Sequence, residues 1–225
     1  MIKAIVTDIE GTTTSIAFVH DVLFPYARQR IAAFVAEHAD APKVRVQLDA
    51  VAQLAGRALT PTESGTLLVR WIDEDRKATP LKALQGMIWA HGYAEGTLKG
   101  HVYADVPACL RRWHAAGLRL YVYSSGSVAA QKLIFGHSTA GDLTPLFSGY
   151  FDTHIGGKRE AASYRNILTE LGQPGAHVLF LSDVTAELDA ARTAGIGTCQ
   201  LLRDAADQTV ADHPQARDFS EVQLG

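Results

Sequence analysis

Residues 3–15 read KAIVTDIEGTTTS. The first five form a short, largely apolar run rich in β-branched residues, the pattern of a strand covered on both faces in a parallel sheet. Two carboxylates, Asp8 and Glu10, follow at once, then Gly11 and a run of threonines. Three later runs repeat the apolar pattern: LRLYVY (118–123), HVLFLS (177–182) and GTCQLL (197–202). Helical-looking stretches precede them, such as DVPACLRRWHAAG (105–117) and YRNILTELG (164–172). A shorter strand is expected at YFDTHI (150–155). This alternation predicts an α/β protein with a Rossmann-like parallel-sheet core.

About a hundred residues separate the first run from the second, whereas a crossover needs only about a dozen. The intervening apolar residues recur at helical spacing, as in Leu67, Leu68, Trp71 and Ile72, then Leu81, Leu84, Ile88 and Trp89. Pro42, Pro61 and Pro80 divide this stretch into several helices, and Gly92, Gly96 and Gly100 are expected to lead back to the sheet. The predicted organisation is a core of residues 1–14 and 100–225 with a helical cap, residues 15–99, inserted after the first strand.

The composition fits a packed globular chain: 225 residues, 47% hydrophobic and 20% charged. A formal charge of -3 and a pI near 6.3 give no basic footprint for nucleic acid. No apolar run is long enough to span a bilayer, and Met1 leads straight into the first strand, so a cytoplasmic protein with no membrane partner is expected. Cys109 and Cys199 lie far apart in apolar surroundings, as expected of reduced, buried thiols. A monomer is the default expectation.

Ligands of open α/β sheets sit beyond the carboxyl ends of the strands. There the sequence places Asp8, Glu10, Gly11 and Thr12; then Ser124, Ser125, Gly126 and Ser127; then Gly156, Gly157 and Lys158; then Ser182 and Asp183. If the extended chain persists to Glu10, the two acids leave on one face, and one can serve as nucleophile while the other keeps a proton for a leaving group. Alone, the triplet better fits a turn-capping Asp8 beside a solvated Glu10. Convergence of Asp8, Glu10 and Asp183 would call for a cation, and hard oxygen ligands that leave room for water and phosphate suit Mg²⁺. Asp183 also reads as a helix N-cap, with Glu187 placed by the helix dipole as a supporting acid. The serines offer an anion cradle and Lys158 an ammonium for a phosphoryl group, although serine-glycine turns and exposed lysines are each common.

The order of these groups resembles the haloacid dehalogenase-like phosphohydrolases: a nucleophilic Asp with an acid two residues later, a Ser/Thr, a Lys and a metal-binding Asp. The strings DIEGTTTSIAFVHDVLFPYA, LQGMIW, GHVYADV, VYSSGSVAAQKLIFGHS, FDTHIGGKREAASY and FLSDVTAELDAARTAG are similar, more narrowly, to the enolase-phosphatase (acireductone synthase) family of methionine salvage. The resemblance spans residues 1–203. It implies that Asp8 and Glu10 are catalytic and that Ser124, Ser125 and Lys158 bind phosphate. One Mg²⁺ per chain would be held by the Asp8 carboxylate, the Glu10 backbone carbonyl and Asp183. The implied substrate is a phosphorylated diketone, 2,3-diketo-5-methylthiopentyl 1-phosphate, enolised and then dephosphorylated. The base for enolisation stays open, with Glu10 as one candidate and His20 a weaker one. The cap is expected to act as a lid. After Leu202 the sequence lacks the Arg-Pro-Gly turn expected of the family, so Arg203 has no assigned role. The alternatives are a phosphatase of the same superfamily acting on another ester, and a non-enzymatic phosphate-binding protein.

Overall fold

The computed structural model describes residues 1–203 and 212–225; the stretch 204–211, which holds most of that divergent tail, lies outside the described residues. The chain divides into two compact units, Met1–Ile16 with Lys99–Gly225, and Ala17–Leu98.

The first unit is built on a parallel sheet. Strand β1 (Ala4–Thr7) pairs with β2 (Arg119–Tyr123) on one side and β4 (Val178–Ser182) on the other; β3 (Phe147–Phe151) flanks β2, and β5 (Gly197–Leu201) flanks β4. A two-residue strand, β6 (Gln215–Ala216), pairs with β5, giving the order β3-β2-β1-β4-β5-β6. Alternate residues of the strands enter two separate cores, as a period of two requires. Val6, Tyr121, Tyr123 and Phe180 pack on one face, and Ile5, Leu120, Leu179 and Leu181 on the other. Cys109 and Cys199 are free and buried, as expected.

The register lines up the strand ends. Thr7 lies opposite Val122 and Leu181, and the Asp8 N–H extends the ladder to the Leu181 carbonyl (2.9 Å). The residues following β1, β2 and β4 therefore emerge side by side.

The second unit is helical. A short helix that starts at the last residue of the first stretch, Ile16–Phe18 (α1), and a π-helical turn, Val19–Leu23, lead into α2 (Phe24–Glu37); α3 (Pro42–Ala55), α4 (Pro61–Asp73) and α5 (Thr79–Ala94) follow. Pro42, Pro61 and Pro80 each sit in the first turn of a helix, where a missing N–H costs nothing. Ile31, Leu68, Trp71, Leu84 and Ile88 belong to a core of this unit alone. The helices of the first unit continue the order as α6 (Val106–Ala115), α7 (Val128–Gly136), α8 (Ala161–Leu171) and α9 (Thr185–Thr193).

Two expectations are corrected here. Gly92 does not lead out of the helices but lies inside α5, where a Cβ would come within 2.5 Å of the Tyr26 hydroxyl; the glycine permits close approach to α2. The strand expected at 150–155 begins earlier, at Phe147, and stops at Phe151 because Asp152 accepts N–H groups from Val128 and His154 and turns the chain. Among the described residues no helix is long and apolar enough to cross a membrane.

Candidate active site

Past β1 the chain does not stay extended. The Ile9 carbonyl accepts N–H groups from Thr12, Thr13 and Thr14 (3.2, 2.9 and 2.8 Å), and Gly11 takes a φ of +70°. The condition for Asp8 and Glu10 to leave on one face, a chain extended to Glu10, is therefore not met: Asp8 is 4% exposed, whereas Glu10 is exposed and bridges to Thr14.

Asp8 Oδ1 accepts the Ile9 N–H (2.7 Å) and lies 2.6 Å from Lys158 Nζ; Ser182 Oγ reaches Oδ2 at 3.5 Å. Lys158 is 8% exposed rather than a solvated loop charge, and its Nζ also lies 2.6 Å from Glu187 Oε2. Burial opposes the ammonium, but the Asp8 and Glu187 carboxylates outweigh it and hold the lysine above its ordinary pKa.

The lysine loop is pinned by its carbonyls. Tyr123 Oη donates to Gly156 O (2.9 Å), Ser163 Oγ to Gly157 O (2.8 Å) and Tyr164 Oη to Lys158 O (2.7 Å). Tyr123 and Tyr164 are core residues of one sheet face, so the packing of β2 and of α8 sets where the ammonium sits.

Asp183 follows β4 and lies over the turn. Its N–H donates to Thr12 Oγ1 (3.1 Å), and Thr12 Oγ1 lies 3.4 Å from its Oδ1. A Cβ on Gly11 would come within 2.3 Å of Asp183 Oδ2, so the glycine opens the space the carboxylate fills. Asp183 is not the N-cap of the following helix, α9: Val184 holds that position, and its N–H goes to Ser182 Oγ (3.1 Å). Burial and the neighbouring Asp8 charge push Asp183 up to about 6. Glu187, 8% exposed and bonded to Ser182 Oγ (3.1 Å), is pushed up to about 7, first by burial and then by Asp8.

Of the two serines, Ser124 is buried, bonds through its N–H to Phe151 O (3.1 Å) and accepts the Gly126 N–H (3.1 Å). Ser125 is exposed at the same strand end. Ser127 caps α7 by accepting the Ala130 N–H, and Gln131 fastens the turn from below by donating to the Gly126 and Phe151 carbonyls (both 2.8 Å). His20 is exposed in the π-helical turn of the other unit, edge-on to Phe24.

The donor set suits a hard divalent cation. Among the described residues no three His, Cys, Asp or Glu side chains gather into a cage, but Mg²⁺ needs only one or two carboxylates beside water and phosphate oxygens. Burial, and after it the Asp8 charge, disfavours the Asp183 carboxylate, and a bound cation would favour it.

A sequence model of haloacid dehalogenase-like hydrolases matches residues 2–195, most of the chain. The chain belongs to this family. Within it, this haloacid dehalogenase-like hydrolase is 58% identical over 222 residues to "Enolase-phosphatase E1" of Hahella chejuensis, covering 98% of this chain and 95% of that one. It is 56% identical to the protein of the same name from Serratia proteamaculans, covering 100% and 98%. Among solved structures, the UTR4 protein of Saccharomyces cerevisiae aligns with a TM-score of 0.85 at 33% identity, covering 99% of this hydrolase and all of that chain.

Proposed function

We propose that the protein is a magnesium-dependent enolase-phosphatase that converts 2,3-diketo-5-methylthiopentyl 1-phosphate to the acireductone 1,2-dihydroxy-3-keto-5-methylthiopentene and phosphate, in methionine salvage. The observation that carries the reading is the buried contact of Lys158 with Asp8, at the tip of β1, and Glu187, in the first turn of α9. It occurs in a chain that matches curated enolase-phosphatases over nearly its whole length.

In this assignment the Asp8 carboxylate attacks phosphorus and the bond to the ester oxygen breaks. Glu10, exposed on the turn, protonates that departing oxygen, then takes a proton from water so that hydroxide cleaves the aspartyl-phosphate and restores Asp8. Of the Asp8 oxygens, Oδ1 takes the Ile9 N–H and the Lys158 ammonium, and Oδ2 the longer contact to Ser182. Lys158 stays cationic beside it and holds the phosphoryl charge together with Ser124 and Ser125. The Asp8 and Asp183 carboxylates and the Glu10 backbone carbonyl would hold Mg²⁺. When bound, it supplies positive charge to phosphoryl and enolate oxygens. Enolisation needs a base for the proton beside the carbonyl, and Glu10 is the candidate in this unit.

The test is a time-resolved spectrum of the diketone phosphate with the protein and Mg²⁺, followed by a phosphate assay. A transient enol absorbance preceding phosphate release is expected; phosphate release with no enol would leave a simple phosphatase. Asp8→Asn should abolish release while leaving the protein folded, because a neutral amide cannot attack phosphorus. Full turnover in that variant would remove Asp8 as the nucleophile.

A further inference from the structure

Arg203 follows β5 by two residues and is nearly invisible to solvent, its side chain 4% exposed. Its guanidinium forks onto the Asp105 carboxylate, Nη1 to Oδ1 at 2.7 Å and Nη2 to Oδ2 at 2.9 Å. The rings of Tyr103 and Phe219 lie 4.3 and 5.2 Å from the guanidinium carbon. Asp105 also accepts the Phe219 N–H (2.8 Å), and the Tyr103 N–H reaches Thr13 O (3.0 Å). Three sequence-distant segments are thereby locked around one cation.

The remaining bond gives this cluster a direction. Arg203 Nε donates to the Thr12 carbonyl (3.0 Å), and Thr12 is the residue whose hydroxyl accepts the Asp183 N–H. Thr12 is fully buried, so its peptide has little room to reorient if the arginine is lost. Asp183 is held from its other side by Gln200 Nε2, which reaches the Asp183 carbonyl at 3.4 Å.

We propose that Arg203 is a positioning residue: it fixes the Thr12 peptide and, through the Thr12 hydroxyl, sets the Asp183 carboxylate for the divalent cation. The assignment rests on the magnesium reading above. The contact of Arg203 with this turn is made at the Thr12 carbonyl, and its effect on Asp183 runs through Thr12. Lysine cannot replace it, since one ammonium does not reproduce a planar fork and a third directed donor.

The experiment is calorimetric titration of the substrate-free protein with Mg²⁺ alone, using wild type, Arg203→Lys, Arg203→Met, Thr12→Val and the Arg203→Met/Thr12→Val double variant, with thermal melts alongside. Loss of a residue that orients a metal ligand weakens metal affinity by about 10- to 100-fold. Each single variant should do so, and the double variant should be no worse than the worse single, because both cut one chain of contacts. A variant with a lowered melting temperature but unchanged Mg²⁺ affinity would show that Arg203 only braces the fold, and would overturn the proposal. If the arginine variants do not fold, Thr12→Val decides: unchanged affinity there overturns it equally. Wild type that takes up no Mg²⁺ would instead bring down the metal reading itself.

Discussion

Glu187 shows how burial turns an ordinary side chain into a chemical one. It shares the Lys158 ammonium with Asp8, and burial together with the Asp8 charge raises it from an ordinary 4.5 to about 7. Below about 4.5 the carboxyl is protonated in both the folded and unfolded chain. Between about 4.5 and 7 the unfolded chain has released the proton while the folded one retains it, so this group lowers stability as the pH rises. Glu187→Gln lacks that liability. Urea unfolding of the metal-free protein should therefore show the variant gaining on wild type from pH 4.5 to 7, and a constant or shrinking difference would contradict the raised pKa. Gly11 supports a second prediction. With φ at +70° and Asp183 Oδ2 where a Cβ would stand, Gly11→Ala must move the carboxylate. Displacing a reacting group by about 1 Å costs about 10²-fold in rate, so phosphate release should fall by about that factor while the far-ultraviolet spectrum is retained; near-wild-type release would show that the Asp183 position is immaterial. Most of this site was legible in the sequence because Asp8, Lys158 and Asp183 each terminate a strand or follow a Gly-Gly pair. The contact of Glu187 with Lys158 was not legible because it depends on which strands lie side by side, and the end of the extended chain before Glu10 was not legible because a turn at Gly11 cannot be told from a continuing strand by spacing.

At the level of elements, the strands that are covered on both faces announced themselves. The runs at 3–7, 118–123, 177–182 and 197–202 became β1, β2, β4 and β5 to within a residue at either end. At the edges the sequence was quieter: β3 carries exposed Ser148 and only partly buried neighbours, and β6 is two residues long, so neither forms an apolar run. The helices of the other unit were legible through their prolines, and α4 also carries its own start signal. Thr60 Oγ1 accepts the Glu63 N–H (3.2 Å) while Glu63 Oε2 accepts the Thr60 N–H (2.8 Å), a reciprocal capping box. Thr60→Ala should cost about 1 kcal/mol and be read as a shift in the urea midpoint at constant slope. Restoration by Thr60→Ser would tie the loss to the hydroxyl, and no loss at all would mean the box contributes nothing.

Across the whole molecule, the apolar burial is partitioned. The sheet has a core on each face, and residues Ala17–Leu98 have a third that draws on none of the strands. Trp71 is among the largest side chains of that third core, 1% exposed and packed with residues of the same unit, with the Arg76 guanidinium 4.1 Å from its ring centre. Truncating a buried tryptophan to alanine strips away apolar packing and leaves a cavity, at about 3–5 kcal/mol. Because the hydrophobic cluster that holds the indole is drawn from the helical unit, the damage from Trp71→Ala should be local in free energy, a sub-global opening rather than a uniform weakening. Amide exchange is the measurement: protection should fall across α2, α4 and α5 while the amides of β1, β2 and β4 keep the protection they have in wild type. Equal loss in the strands and the helices would show that the two units unfold as one cooperative body, and that the partition of the cores has no thermodynamic counterpart.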